Sequence, residues 1–184
     1  MQSEARVIGR VEQIWIYPVR SLAGRPVSAV GVGPAGLDGD RAWTAVGEDG
    51  VVLRAKELPA MRDVAATGDP AADRAALSAV LGRPVRLDVT DTGRGEVAPV
   101  HLVSRQAVER AAAGEVPEGC SAEDPRANLL LTLDGDERTW VGRELRVGQA
   151  VVLRVTRTPK HCLGVYADVV TPGAVRTGDP VLLV

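Results

Sequence analysis

The stretch RTPKHCLG, residues 157–164, sets Cys162 directly behind Lys160 and His161 and just ahead of Leu163 and Gly164. A thiol beside cationic side chains ionises more readily, and the thiolate is the form that attacks electrophiles and binds metals. The alternative is an inert core thiol, since free cysteine is commonly buried. Three further stretches combine polar side chains with tight backbone: IWIYPVRSLAG (14–24), GLDGDRAW (36–43) and DPRANLL (124–130), with HLVS (101–104) as a weaker fifth. Taken singly, each also reads as an ordinary charged loop, turn or solvated segment.

The chain holds two cysteines, Cys120 and Cys162, and two histidines, His101 and His161. A zinc site built from all four is disfavoured by spacing. There is no C-x₂₋₄-C pair, and adjacent residues such as His161 and Cys162 point to opposite faces of an extended segment. A Cys120–Cys162 disulfide stays open, but two cysteines are too few for the framework of a secreted mini-domain and fit a reducing compartment. His101, at the start of a strand, reads as structural, and Trp15, Trp43 and Trp140 read as packing residues.

Short β-rich runs position these stretches: 11–17, 27–32, 42–46, 51–55, 85–89, 100–104, 128–133, 150–156 and 180–184. VGEDGVV, around Asp49-Gly50, predicts a hairpin between 42–46 and 51–55, because Asp-Gly supplies the positive φ of a tight turn. LRVGQAVVL, with Gly148 at its centre, predicts two strands joined as tightly. Two helices interrupt the pattern. Over 68–84, Asp69 is a natural N-cap, Pro70 takes the first helical position, Ala75, Leu77, Val80 and Leu81 supply apolar positions, and Gly82 with Pro84 ends the helix. Ser104 caps RQAVERAAA, which stops at Gly114. Many short strands with two or three helices give a mainly β fold with α additions, a barrel rather than a parallel α/β sheet. A boundary is expected near DTGRGEVAP (91–99), between two closely packed halves, 1–95 and 96–184.

A chain of 184 residues with 45% apolar side chains has ample material for a packed globule. The charge is nearly balanced, 22 Lys+Arg against 24 Asp+Glu, so no overall field suggests a nucleic-acid partner. No run approaches the roughly 20 apolar residues that cross a bilayer, and the N-terminus has no apolar core of a secretory signal. The expectation is a soluble cytoplasmic protein with neither nucleic-acid nor membrane partner. No four-cysteine iron–sulfur pattern and no flavin or dinucleotide fingerprint is present.

Order and spacing together resemble the MOSC family, named after the C-terminal part of molybdenum cofactor sulfurase. IYPVRSLAGRPVSAVGVGPAGLDGDRAW followed by VVLRAKELPAM is similar to the β-barrel region that precedes MOSC domains. HLVS, PRANLLLT, TWVGRELRVG, KHC and TGDPVLLV are similar to the MOSC domain itself. The resemblance implies a MOSC-type β-barrel and a site for the molybdenum cofactor, a molybdopterin whose tail carries a phosphate. It matches Cys162 to the cysteine that ligates molybdenum in relatives that bind the cofactor, and a soft thiolate suits a metal already held by sulfur.

By the same resemblance Arg20 and Ser21 match a Lys-Ser pair, Arg41 an Asp-Arg motif, and Arg126 with Asn128 an R-x-N pair, all cofactor-binding. Arginine keeps the charge and grips phosphate with a bidentate fork. Asp168 matches an acidic position that anchors the pterin or relays protons. Cys120 matches no functional position. Two departures stand out: Ala127 replaces the family's proline, and the segment after Cys162 is short, leaving the site more open or completed by another subunit. The implied activity is reduction of N-hydroxylated small molecules with electrons from a separate redox protein. The alternatives are a sulfur carrier with a Cys162 persulfide and a non-catalytic small-ligand-binding barrel.

Overall fold

A computed structural model describes residues 5–90, 98–116 and 126–184. In chain order the strands are β1 (Arg6–Ile16), β2 (Arg25–Val27), β3 (Ala29–Gly33), β4 (Gly36–Leu37), β5 (Trp43–Gly47), β6 (Val85–Val89), β7 (Val100–Ser104), β8 (Leu129–Leu133), β9 (Glu144–Val147), β10 (Val151–Arg157), β11 (Val165–Thr171), β12 (Gly173–Arg176) and β13 (Pro180–Leu183). Two helices, α1 (Pro70–Leu81) and α2 (Arg105–Ala112), and 3₁₀ turns at Pro59–Asp63 and Glu137–Trp140 accompany them. The chain divides into two compact units. One comprises Met1–Trp15, Val27–Asp38 and Arg94–Val184, the other Ile16–Pro26 and Gly39–Gly93. The N-terminal strand and the 27–38 segment belong to the unit that also holds the C-terminal part of the chain.

The first unit is a closed barrel of seven strands, in the order β13-β9-β10-β11-β7-β8-β1, sealed by pairing of β1 with β13. Alternation builds its interior. Val151, Leu153 and Val155 of β10 and Leu129, Leu131 and Leu133 of β8 face inward and are buried, each large side chain contributing about 2 kcal/mol. All pairings are antiparallel except β7 with β8, which run parallel. A parallel neighbour requires a crossover, and α2 lies in it. Ser104 starts that helix as expected, its Oγ accepting the Ala107 N–H at 2.9 Å. A small sheet, β12-β3-β4, completes the unit.

The segment between Cys162 and the terminal TGDPVLLV, not among the β-rich runs read in the sequence, forms β11 and β12. Asp168, Pro172 and Gly173 dilute its apolar pattern, and burial by neighbouring strands overrides that dilution.

The second unit pairs β5 with β6 over their whole lengths and packs α1 on a core of Val19, Leu22, Met61, Leu77 and neighbours. The turn at Asp49-Gly50 is present, with Gly50 at φ +79 and the Gly47 N–H bonded to Val51 O. Its expected second arm, 51–55, is not a strand. Only an isolated Val46–Val52 bridge forms, after which the chain turns as Leu58 N–H bonds Arg54 O. The full-length partner of β5 is instead β6, distant in sequence. Helix α1 has its expected ends, Asp69 accepting the Ala71 N–H and Gly82 at φ +65. Its buried face is the expected one only in part. Leu77 is buried and Leu81 packs against the same core, whereas Ala75 and Val80 are exposed and Asp73 is buried instead. The Asp73 carboxylate is satisfied by the Thr67 N–H and hydroxyl and the Gly68 N–H, which is how a carboxylate becomes tolerable inside. No described helix is long and apolar enough to cross a membrane.

Candidate functional site

In the barrel unit the cysteine loop is fastened to β7 by its own backbone. Gly164 adopts φ +82, and a Cβ there would lie 2.0 Å from the Leu102 carbonyl oxygen, so only glycine permits this approach. One residue earlier, the Leu163 carbonyl accepts the Nε2–H of His101 at 2.6 Å. His101 is buried, its ring edge-on to Tyr166 with centroids 4.9 Å apart. Cys162 is half-buried, whereas Lys160 and His161 are exposed.

Cys162 lines a cleft of about 270 Å³ with Thr158, Pro159, Ala107, Arg110, Glu137 and Arg138, among others. The cations of that lining are Arg110 of α2 and Arg138 of the 3₁₀ turn, set against Glu115 and Glu137, and sequence reasoning missed both arginines. No local signal marks them, because they come to the cleft only through the tertiary path of the barrel. Asp136 ties both: Arg138 bonds it at 2.5 Å and Arg110 approaches to 3.9 Å. The Arg138 guanidinium, above all, holds the Asp136 carboxyl down at about 2, against burial that pushes the other way. Behind the cleft, buried Glu137 accepts the Ser104 N–H at 3.0 Å and its hydroxyl at 2.8 Å.

Asn128 is fully buried and linked on both sides by main chain. Its Oδ1 accepts the His101 N–H at 3.0 Å, and its Nδ2 donates to the Trp15 carbonyl at 3.3 Å. Backbone bonds from Asn128 N–H to His101 O and from Trp15 N–H to Asn128 O accompany these. Asn128 therefore ties β1, β7 and β8 together, and through His101 it connects to the cysteine loop. Arg126, two residues before, is half-buried with φ +52. Asp168 stands exposed on β11, cross-strand from Arg154 and outside the cleft's lining. That placement departs from a residue that anchors a buried ring or relays protons to the thiol.

In the second unit, Arg20, Ser21 and Arg41 sit on neighbouring segments. Arg20 N–H bonds Trp43 O at 2.9 Å, and Arg41 N–H bonds Tyr17 O at 2.6 Å. Asp40 organises the pair, accepting the Tyr17 N–H at 2.8 Å and the Arg41 guanidinium at 2.5 Å. The Arg41 guanidinium also lies 5.5 Å from the centre of the Tyr17 ring, a favourable cation–π geometry. Arg20 Nε is buried with no hydrogen-bond partner. Ser21 adopts φ +73 and Arg41 φ +50.

Among the described residues, the non-glycine positions with positive φ are Ser21, Arg41 and Arg126. All three are residues the sequence reading assigned to cofactor binding. Left-handed backbone costs an L-residue about 1–2 kcal/mol, and such strain concentrates at ligand clamps and active sites. No group of three or more His, Cys, Asp or Glu able to hold a metal is found among the described residues. Cys120 lies outside them, and with it the disulfide and the four-residue zinc set.

Residues 8–118 match the family described as the MOSC N-terminal beta barrel domain. The mitochondrial amidoxime-reducing component 1 from Homo sapiens is 33% identical over 86 residues, which is 45% of this chain and 25% of that protein. The match therefore spans a quarter of that relative's length. Among solved structures, the YuaD protein from Bacillus subtilis superposes with a TM-score of 0.59 at 13% identity, covering 97% of both chains. A second, described as a hypothetical protein, gives 0.51 at 15% identity over 96% of this chain and 68% of its own. At these identities the likeness is one of fold.

Proposed function

The chain belongs to the MOSC N-terminal beta barrel domain family, and from that premise we propose that it binds the molybdenum cofactor and reduces N-hydroxylated small molecules, with Cys162 as the metal's thiolate ligand. The observation that carries the reading is the coincidence of strained backbone with the assigned residues: Ser21, Arg41 and Arg126 hold positive φ. The relative named for amidoxime reduction supports the substrate class.

The residues present fit such a group. Arg20 Nε is a buried donor without a partner, which costs free energy unless an anion answers it. The phosphate tail of the cofactor is such an anion, and Arg20 with Ser21 would hold it. In the barrel unit Arg126 offers a guanidinium just ahead of Asn128, whose bonds to the His101 and Trp15 backbone fix the chain where β8 starts. Since no described cluster of three protein donors exists, a metal at Cys162 would draw its remaining donors from its organic carrier.

When bound, the group supplies the two-electron exchange that the side chains lack. Reduction breaks the N–O bond of the substrate, takes two electrons from a separate redox protein and two protons, and releases water. The chain's own part is to present the Cys162 thiolate from its pinned loop and to orient a small substrate in the cleft. The electron donor and the cytoplasm as the working compartment belong to the same proposal.

The test is expression in a host that makes the cofactor, followed by metal and pterin analysis of the purified protein. Near-stoichiometric molybdenum with a fluorescent pterin released on denaturation is expected, and Cys162→Ala should lose the metal while unfolding within about 1 kcal/mol of the parent. Reductant-released sulfide from Cys162 with no molybdenum would reassign the chain as a sulfur carrier. Metal retention by Cys162→Ala at the parental level would sink the ligand assignment.

A further inference from the structure

We propose that His101 is a positioning residue for Cys162, setting through one hydrogen bond where the thiol sits in its cleft. His101 lies in the barrel wall, 4% exposed. Its main chain is clasped by Asn128 on both the N–H and the carbonyl, and its ring is held against Tyr166. Tyr166 is itself covered by the Arg157 guanidinium, 5.1 Å from its centre. A ring fixed on so many sides presents its Nε2–H in one direction, to the Leu163 carbonyl at 2.6 Å. That carbonyl belongs to the residue after Cys162, and the next residue, Gly164, is pressed onto Leu102 and Val103 of the same strand.

The loop is therefore pinned immediately after the cysteine and runs exposed before it, at Lys160 and His161. The Nε2–H bond is the side-chain element of that pin; the Gly164 approach is steric. A carbonyl can only accept, so the ring must carry its proton on Nε2.

The inference rests on the reading that Cys162 is the site's reactive thiol, but its test is independent of any cofactor. In a Cys120→Ser background, the apo chain's Cys162 is alkylated with iodoacetamide, and His101→Gln and His101→Met are compared with the parent. Glutamine can return an N–H to the carbonyl; methionine has similar length and no donor. The methionine variant should react about fivefold faster, the equilibrium worth of one lost hydrogen bond, and the glutamine variant within about twofold of the parent. Equal rates in all three proteins, or the same change in both variants, overturn the proposal.

A measurement on the unsubstituted ring covers the case in which the variants fail to fold. With only two histidines in the chain, ¹⁵N-histidine labelling should show one ring locked as the Nε2–H tautomer with a slowly exchanging proton. A His101 ring proton that exchanges as fast as that of exposed His161 overturns it equally. If alkylation responds as expected while the holo-protein carries no molybdenum, the positioning role stands and the cofactor reading falls.

Discussion

The two units hold their candidate residues by different means. In the 16–26 and 39–93 unit, Arg20, Ser21 and Arg41 are set by main chain, through positive φ at two of them and backbone bonds to Tyr17 and Trp43. One cation is left with an unanswered buried donor. In the barrel unit, Cys162 and Arg126 depend on a buried side-chain lattice of Asn128, His101, Ser104 and Glu137. The first arrangement leaves strained backbone and a buried donor for a ligand to answer, whereas the second, although Arg126 is strained as well, pairs the polar groups of its Asn128–His101 and Ser104–Glu137 contacts beforehand. Substitutions should therefore behave oppositely in the two. Barrel changes should cost stability, while changes in the other unit should cost ligand and leave stability level or improved.

The largest effect is expected at Glu137. Replacement by alanine strips the Ser104 N–H and hydroxyl of their buried acceptor and should lower unfolding free energy by about 3 kcal/mol, read as a shifted urea midpoint. Asn128→Ala should follow at about 2 kcal/mol, because it orphans the His101 N–H and loosens the β1 contact at Trp15. A variant at either position that unfolds like the parent would break the contrast on the barrel side.

Asp136 offers a subtler check. Its carboxyl is held at about 2, below the ordinary aspartate value of 3.8, chiefly by Arg138. A depressed folded pKa gives stability that is present above the unfolded value and lost as pH falls between the two. Arg138→Gln should thus flatten the decline in stability between pH 3.8 and about 2. The pair is partly exposed, so the effect stays below about 1 kcal/mol after solvent screening.

On the other side, Ser21→Gly should stabilise the chain by about 0.5 kcal/mol, since glycine accepts φ +73 without steric cost but loses more entropy on folding. Cofactor retention should fall in the same variant, a trade of stability against function. Smallest of all, Asp168→Asn on the exposed face of β11 should change stability by less than about 0.5 kcal/mol and leave metal content at the parental level.

What the sequence discloses is largely local chemistry. Asp69 and Ser104 announce their helices because a cap is a contact within three residues, and β6 and β7 lie at the predicted positions because their runs are uniformly apolar or alternating. The arm at 51–55 fails because pairing is decided by which partner arrives, and β6 provides a full ladder to β5 where Val52 provides one bridge. β11 and β12 stay hidden behind Asp168, Pro172 and Gly173. At the site, Cys162 and its glycine are readable from type and spacing. Arg110 and Arg138 are not, since nothing short of the closed barrel brings α2 and the Glu137–Trp140 turn to the cleft that Cys162 lines. Asp73 shows the same limit: a buried carboxylate becomes legible only when its three donors are seen.

Closure of the barrel carries a consequence for biosynthesis. β1 precedes the other barrel strands in sequence, yet of its ladder partners only short β2 is close by, while β8 and β13 come far later, the latter at residues 180–183. Until they are made, most of β1 is a strand with open edges and alternating buried positions, a target for aggregation. Arg6, Arg10 and Glu12 interrupt its apolar run and serve as gatekeepers while the strand waits.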